Sequence, residues 1–199
     1  VVFHGDVFER SREHAEAIAE RDGMRFVHAA NEPALVAGVG TYSVEIHEDL
    51  KDIDVLITPV GAGSGTSGSC IVTDALSPST HVIGVQAANA PAAYHAWESG
   101  EFGIYPMSTA AEGLATESAY ELPIGILRKR LKEFALVEES AISEAIKHYV
   151  HATRTLVEHA GAASLAAAID MKDSLKGKRV VLVASGGNIT TDQLKAVLN

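Results

Sequence analysis

The chain has 199 residues, 47% of them hydrophobic, with 17 glycines and 6 prolines spread along its length. That supplies a substantial core for one or two domains and excludes a disordered chain. Sixteen Lys and Arg stand against 26 Asp and Glu, and this formal charge of −10, with no basic block, argues against nucleic acid or an anionic membrane surface as a partner.

Short β-rich runs alternate with longer helical patterns. Residues 1–4 read as a strand, 8–21 as an amphipathic helix with apolar residues at 15, 18 and 19, and 24–28 as a second strand. Residues 33–50 are helical in pattern but interrupted by Gly38 and Gly40, and 53–57 form a fully apolar strand. A glycine-rich loop follows, then a helix over 65–76, a strand over 81–86 and a helix over 90–99. Residues 100–116 have no period, which marks a long irregular segment of the kind that carries function. Helix 117–132, strand 134–137, helices 140–157 and 160–174, strand 179–184 and helix 190–197 complete the pattern. Alternation of this kind predicts an α/β fold with a mostly parallel twisted sheet covered by helices on both faces.

Cys70 is the single cysteine, which leaves no internal disulfide framework and points to a reducing, cytoplasmic compartment. No apolar stretch approaches the roughly 18 residues of a membrane span. The N-terminus has neither a signal-peptide pattern nor an initiating Met, and "VVFHG" reads as the middle of a strand, as in a piece of a longer protein.

Ligands of parallel sheets bind at the carboxyl ends of strands, and two glycine motifs lie there: "GAGSGTSG" at 61–68 and "SGGN" at 185–188. The first has four glycines in eight residues, a composition that lets backbone amides crowd around an anion. Gly63, Gly65 and Gly68 satisfy G-x-G-x-x-G, but the acidic residue that a dinucleotide ribose needs is missing: the next strand ends in Gln86, and no carboxylate follows until Glu98. A nucleoside-triphosphate loop lacks its Gly-Lys-Ser/Thr. What stays open is a tight turn without a ligand or a lone phosphate monoester, held by amides and the helix dipole, such as pyridoxal 5′-phosphate carries.

"PVGAGSGTSG" (59–68) resembles the phosphate loop of the fold-type II pyridoxal-phosphate enzymes, in the branch of the threonine/serine ammonia-lyases and serine racemases. "VVFHGDVFERSREHAEAIA" (1–19), "FVHAANEPALVAGVGT" (26–41), "TAAEGLAT" (109–116), "VEHAGAASLAA" (157–167) and "VASGGNIT" (183–190) match the same family in the same order, so the resemblance spans essentially the whole chain. It implies a cofactor, pyridoxal 5′-phosphate, held at its phosphate by the backbone of Gly61, Ala62, Gly63, Ser64 and Gly65. Ala62 and Ser64 replace glycines usual in the family, a substitution the backbone tolerates where neither position needs a positive φ. The resemblance also implies that Ser185 hydrogen-bonds the pyridine nitrogen, that Gly113 lies beside the cofactor ring, and that Glu158, at the end of a helix, is an acidic residue near it. Ser185 as a cap of the turn before the last helix and Glu158 as a solvated charge are the alternatives. A neutral hydroxyl at the ring nitrogen favours elimination over transamination.

Two family features are missing. The lysine that forms the Schiff base and the substrate-carboxylate loop both lie upstream of everything matched, and none of the eight lysines present (51, 129, 132, 147, 172, 176, 178, 195) has that context. The acidic metal ligands of some relatives are replaced by Gln86 and the run "AANAPAA", so no metal is expected. The nine histidines are scattered and suggest no site of their own.

The resemblance therefore implies the C-terminal part of an ammonia-lyase that converts a β-hydroxy amino acid, threonine first and serine second, to a 2-oxo acid and ammonia. A racemase or another β-hydroxy amino acid lyase looks similar at this level, and a catalytically silent subunit is the non-enzymatic alternative. The same resemblance implies a homo-oligomer, a homodimer in the simplest case, with residues 1–30 the remnant of a small domain and 31–199 the large cofactor domain.

Overall fold

The computed structural model describes residues 1–199. Four parallel strands form one sheet in the order β3-β2-β1-β4: β1 Val55–Pro59, β2 His81–Ala87, β3 Glu133–Val137 and β4 Val180–Leu182. Val55 pairs with His81 on one side of β1 and with Val180 on the other. The two neighbours of β1 are thus reached in opposite directions along the sheet, and β1 and β4 flank the point where the strand order reverses. Such switch points open a crevice outside the carboxyl ends of their strands.

The strands are apolar on both faces because helices cover both. Val55 and Ile57 of β1 join the core built with α7 (Glu139–His148), α8 (His159–Asp170) and α9 (Thr191–Leu198). Leu56, between them, points the other way, into the core with α4 (Ser64–Leu76), α5 (Ala92–Ser99) and α6 (Glu121–Arg130). The alternation is the period of two that any strand imposes. Full burial of a side chain such as Ile57, which has no exposed surface, contributes about 1.5–3 kcal/mol.

Helix α1 runs Phe8–Arg21, the span the sequence predicts, and carries the ion pair Arg12–Glu16 at 2.6 Å. The glycine interruption also holds: α2 is Pro33–Val39, α3 is Thr41–Asp49, and Gly40 breaks them. A Cβ added to Gly68 would lie 2.7 Å from the Gly40 Cα, so α4 crosses the α2–α3 junction backbone to backbone, which brings α3 side chains onto α4.

Several boundaries move. Residues 1–4 and 24–28 are irregular, not strands, since the sheet offers them no neighbouring ladder to join. The helix expected over 117–132 starts at Glu121, which puts Pro123 in the first turn, where its missing N–H costs nothing. The helix expected over 140–157 gives way to a π turn at Tyr149–Thr153 and stops at Arg154, whose φ of 57° is left-handed. Glu158 accordingly begins α8 instead of ending a helix. No helix is long and apolar enough to cross a membrane.

Candidate functional site

The two glycine motifs leave the carboxyl ends of β1 and β4, the strands at the switch point. After β1 the chain turns through residues 60–63 into α4. Gly63 caps that helix at φ 94° and ψ 0°, a left-handed conformation that penalises any Cβ. It is the one residue of the loop with a positive φ: Ala62 and Ser64 are ordinary in φ, as small replacements for glycine must be here. Ser67 N–H donates to the Gly63 carbonyl at 3.0 Å, and no side chain caps α4, so the amides of Ser64, Gly65 and Thr66 have no helical acceptor. Unpaired amides and the positive end of the helix dipole are what an anion requires.

The other family positions converge on this loop. A Cβ on Gly61 would run into the Gly113 carbonyl, which fixes the 3₁₀ turn Glu112–Leu114 of the otherwise irregular 100–116 segment against the glycine turn. A Cβ on Gly113 would lie 3.6 Å from Glu158 Oε1, and one on Gly186 only 2.7 Å from the same oxygen. Glu158 ties the second glycine motif down twice: its N–H donates to the Gly186 carbonyl at 3.1 Å, and its Oε2 accepts the Asn188 N–H at 2.9 Å. Ser185 shares a cavity of about 750 Å³ with Tyr42, Thr58, Pro59 and Gly65. The glycine turn, Gly113, Glu158 and the Ser185–Asn188 turn, scattered over 128 sequence positions, are thus linked by a series of close contacts.

Beneath the glycine turn lies a hydroxyl cluster that no sequence pattern marks. Tyr42 Oη sits 2.5 Å from Ser69 Oγ, 3.2 Å from the Gly65 carbonyl and 3.4 Å from Thr58 Oγ1. Ser43 Oγ donates to Ser69 Oγ at 2.8 Å, and Thr66 Oγ1 donates to the Pro59 carbonyl at 3.1 Å. Nothing in the spacing of Tyr42 within α3 separates it from ordinary helix packing.

The remaining candidates have structural roles. Gln86 is fully buried and caps α5, its Oε1 accepting the Tyr94 N–H at 3.0 Å. Burial pushes the Cys70 thiol up to about 12, with Asp74 adding to the effect, so this cysteine is protonated and inert at neutral pH. His148 and His151 are exposed.

The residues present fit a phosphate monoester: a left-handed glycine turn followed by the accessible, uncapped amides of Ser64 and Gly65. A parallel α/β sheet with such a turn at its switch point is the architecture of a protein suited to a phosphate-bearing ligand. Residues 1–186 match the pyridoxal-phosphate dependent enzyme family, and the chain belongs to it. It is 34% identical over 200 residues to the L-threonine ammonia-lyase of Thermotoga maritima, a match that takes in 100% of this chain and 50% of that protein. The processed threonine deaminase isoform 2 of Solanum lycopersicum superposes with a TM-score of 0.92 at 29% identity, over 99% of this chain and 58% of that one. Serine racemase from Dictyostelium discoideum gives 0.83 at 29% identity, over 94% and 61%. The chain spans about half the length of the curated relatives it matches.

Proposed function

We propose that these residues form the cofactor-binding part of a pyridoxal-phosphate dependent ammonia-lyase that deaminates L-threonine or L-serine to a 2-oxo acid and ammonia. The observation that carries the reading is the convergence of the Gly61–Gly65 turn, Gly113, Glu158 and Ser185 at the switch point of a sheet whose family is pyridoxal-phosphate dependent. Threonine ammonia-lyases at 30–35% identity support the substrate class.

In this reading the backbone amides of Gly61, Ala62, Gly63, Ser64 and Gly65 bind the phosphate, and Gly63 sets their direction. Gly113 keeps side chains off the ring face, and the Ser185 hydroxyl orients the ring through its nitrogen without supplying a full positive charge there. Glu158 holds the Ser185–Asn188 turn in place through Gly186 and Asn188. When bound, the cofactor supplies an electron sink for the bonds at the amino acid α-carbon. The Schiff-base lysine belongs, in this proposal, to residues outside the 199 described.

We assign residues 1–30 to a small domain and 31–199 to the large cofactor domain. The first of these touches the second through Glu9, whose carboxylate accepts the Glu117 N–H at 3.1 Å. A homodimer in a reducing cytoplasm completes the proposal. The superposition on serine racemase favours a second reading, racemisation of serine on the same site. Incubation of the intact protein with pyridoxal 5′-phosphate and L-threonine or L-serine separates the two. Ammonia with a 2-oxo acid supports the lyase, D-serine without ammonia supports the racemase, and no turnover of either amino acid refutes both.

A further inference from the structure

We propose that Tyr42 is a positioning residue for the cofactor phosphate: its phenol holds the first turn of α4 so that the accessible amides of Ser64 and Gly65 face outward together. The inference rests on the cofactor reading above and extends it to a side chain outside every glycine motif.

The hydrogen-bond order around Tyr42 is set by its neighbours. Ser43 and Ser69 have no exposed surface, and Thr58 is 1% exposed, so these hydroxyls satisfy one another and not water. Ser43 donates to Ser69, which leaves the Ser69 proton for Tyr42 Oη. The phenol proton is then free to go to the Gly65 carbonyl at 3.2 Å. A chain of three donors, each polarising the next, therefore ends on one peptide of the phosphate-binding turn.

That peptide matters because it closes the turn whose two preceding amides, those of Ser64 and Gly65, are accessible and without a helical acceptor, whereas Thr66 beyond it is fully buried. A hydrogen bond to the carbonyl fixes the peptide plane, and with it the backbone of Gly65 that sets the direction of the Ser64 and Gly65 N–H groups. Gly65 has no side chain to lock the plane itself, and Tyr42 Oη is the one atom within 4 Å of the place its Cβ would occupy. The Gly40–Gly68 contact, which lets α3 rest on α4, is what brings the phenol within reach.

The test uses the intact protein, freed of cofactor and titrated with pyridoxal 5′-phosphate, with Tyr42→Phe and Tyr42→Leu as variants. Tyr42→Phe keeps the ring and removes the hydroxyl. The expected result is a dissociation constant raised about three- to tenfold, the worth of one ordinary hydrogen bond, in both variants alike. The ³¹P resonance of the bound cofactor should shift in both, and the melting temperature of the cofactor-free Tyr42→Phe protein should fall modestly, because the buried Ser69 hydroxyl loses its acceptor. A Tyr42→Phe protein with wild-type affinity and ³¹P shift, beside a weakened Tyr42→Leu, would reduce Tyr42 to packing and overturn the inference. Failure of the wild-type protein to bind pyridoxal 5′-phosphate would instead overturn the cofactor reading, and this inference with it.

Discussion

Gly61 and Gly113 touch backbone to backbone, so closely that a methyl group on Gly61 would meet the Gly113 carbonyl. Fifty-two positions apart in sequence, they join the glycine turn after β1 to the 3₁₀ turn that passes beside it. Gly61→Ala should therefore push Gly113 away from the site and weaken cofactor retention at least tenfold in the intact protein. Gly63→Ala, strained at φ 94°, should cost about 1–2 kcal/mol and act in the same direction. Lys176→Ala, at an exposed position, should change neither stability nor retention beyond about 0.5 kcal/mol. Spectrophotometric titration with pyridoxal 5′-phosphate and thermal melts measure all three.

Glu158 differs from these glycines in acting through two bonds at once. Glu158→Ala removes the acceptor for Asn188 N–H and frees the turn that carries Ser185. It should weaken cofactor binding, whereas Glu158→Gln, which keeps an acceptor oxygen, should recover most of the affinity. Equal losses in both variants would show that the charge, not the clamp, is what matters.

Acid should destabilise the fold through its buried histidines. His47, 7% exposed and paired with Thr73 Oγ1 at 3.1 Å, is held below its ordinary value by burial and then by Lys51. His159 is lowered by burial against the opposing pull of Glu139, Glu112 and Glu158, and His28 by burial first. A histidine depressed on folding binds its proton more readily in the unfolded chain, so its contribution is complete above about pH 6.5 and is lost as pH falls through the folded value. The melting temperature should drop from pH 7 to pH 5, and His47→Gln should make that slope shallower.

Cys70 should resist thiol reagents in the native protein at pH 8, because its thiol has no exposed surface and titrates only near 12. Labelling with an aromatic disulfide should appear only in denaturant, and its onset should coincide with the loss of helical circular dichroism.

The parts legible in the sequence are those fixed by local chemistry. Apolar runs gave the four strands of the sheet, and glycines marked both turns of the site because close backbone approach and a left-handed φ at Gly63 admit little else. Strands over 1–4 and 24–28 were expected from composition alone, which says nothing of whether a partner strand exists. Glu158 was placed at the wrong end of a helix because the stop at Arg154 rests on a non-glycine left-handed residue, which carries no compositional mark. Tyr42 was invisible for a third reason: its role depends on how α3 crosses α4, a tertiary fact set by the Gly40–Gly68 contact.

Strand β4 ends the sheet with Val180, Val181 and Leu182, and its far side has no hydrogen-bonded neighbour among these residues. The strand contains no lysine, proline or bulge of the kind that keeps such borders from adhering to one another. These 199 residues, produced alone at high concentration, should therefore self-associate along that border, and the turn bearing Ser185, which leaves the same strand, would be the first part of the site to lose its shape.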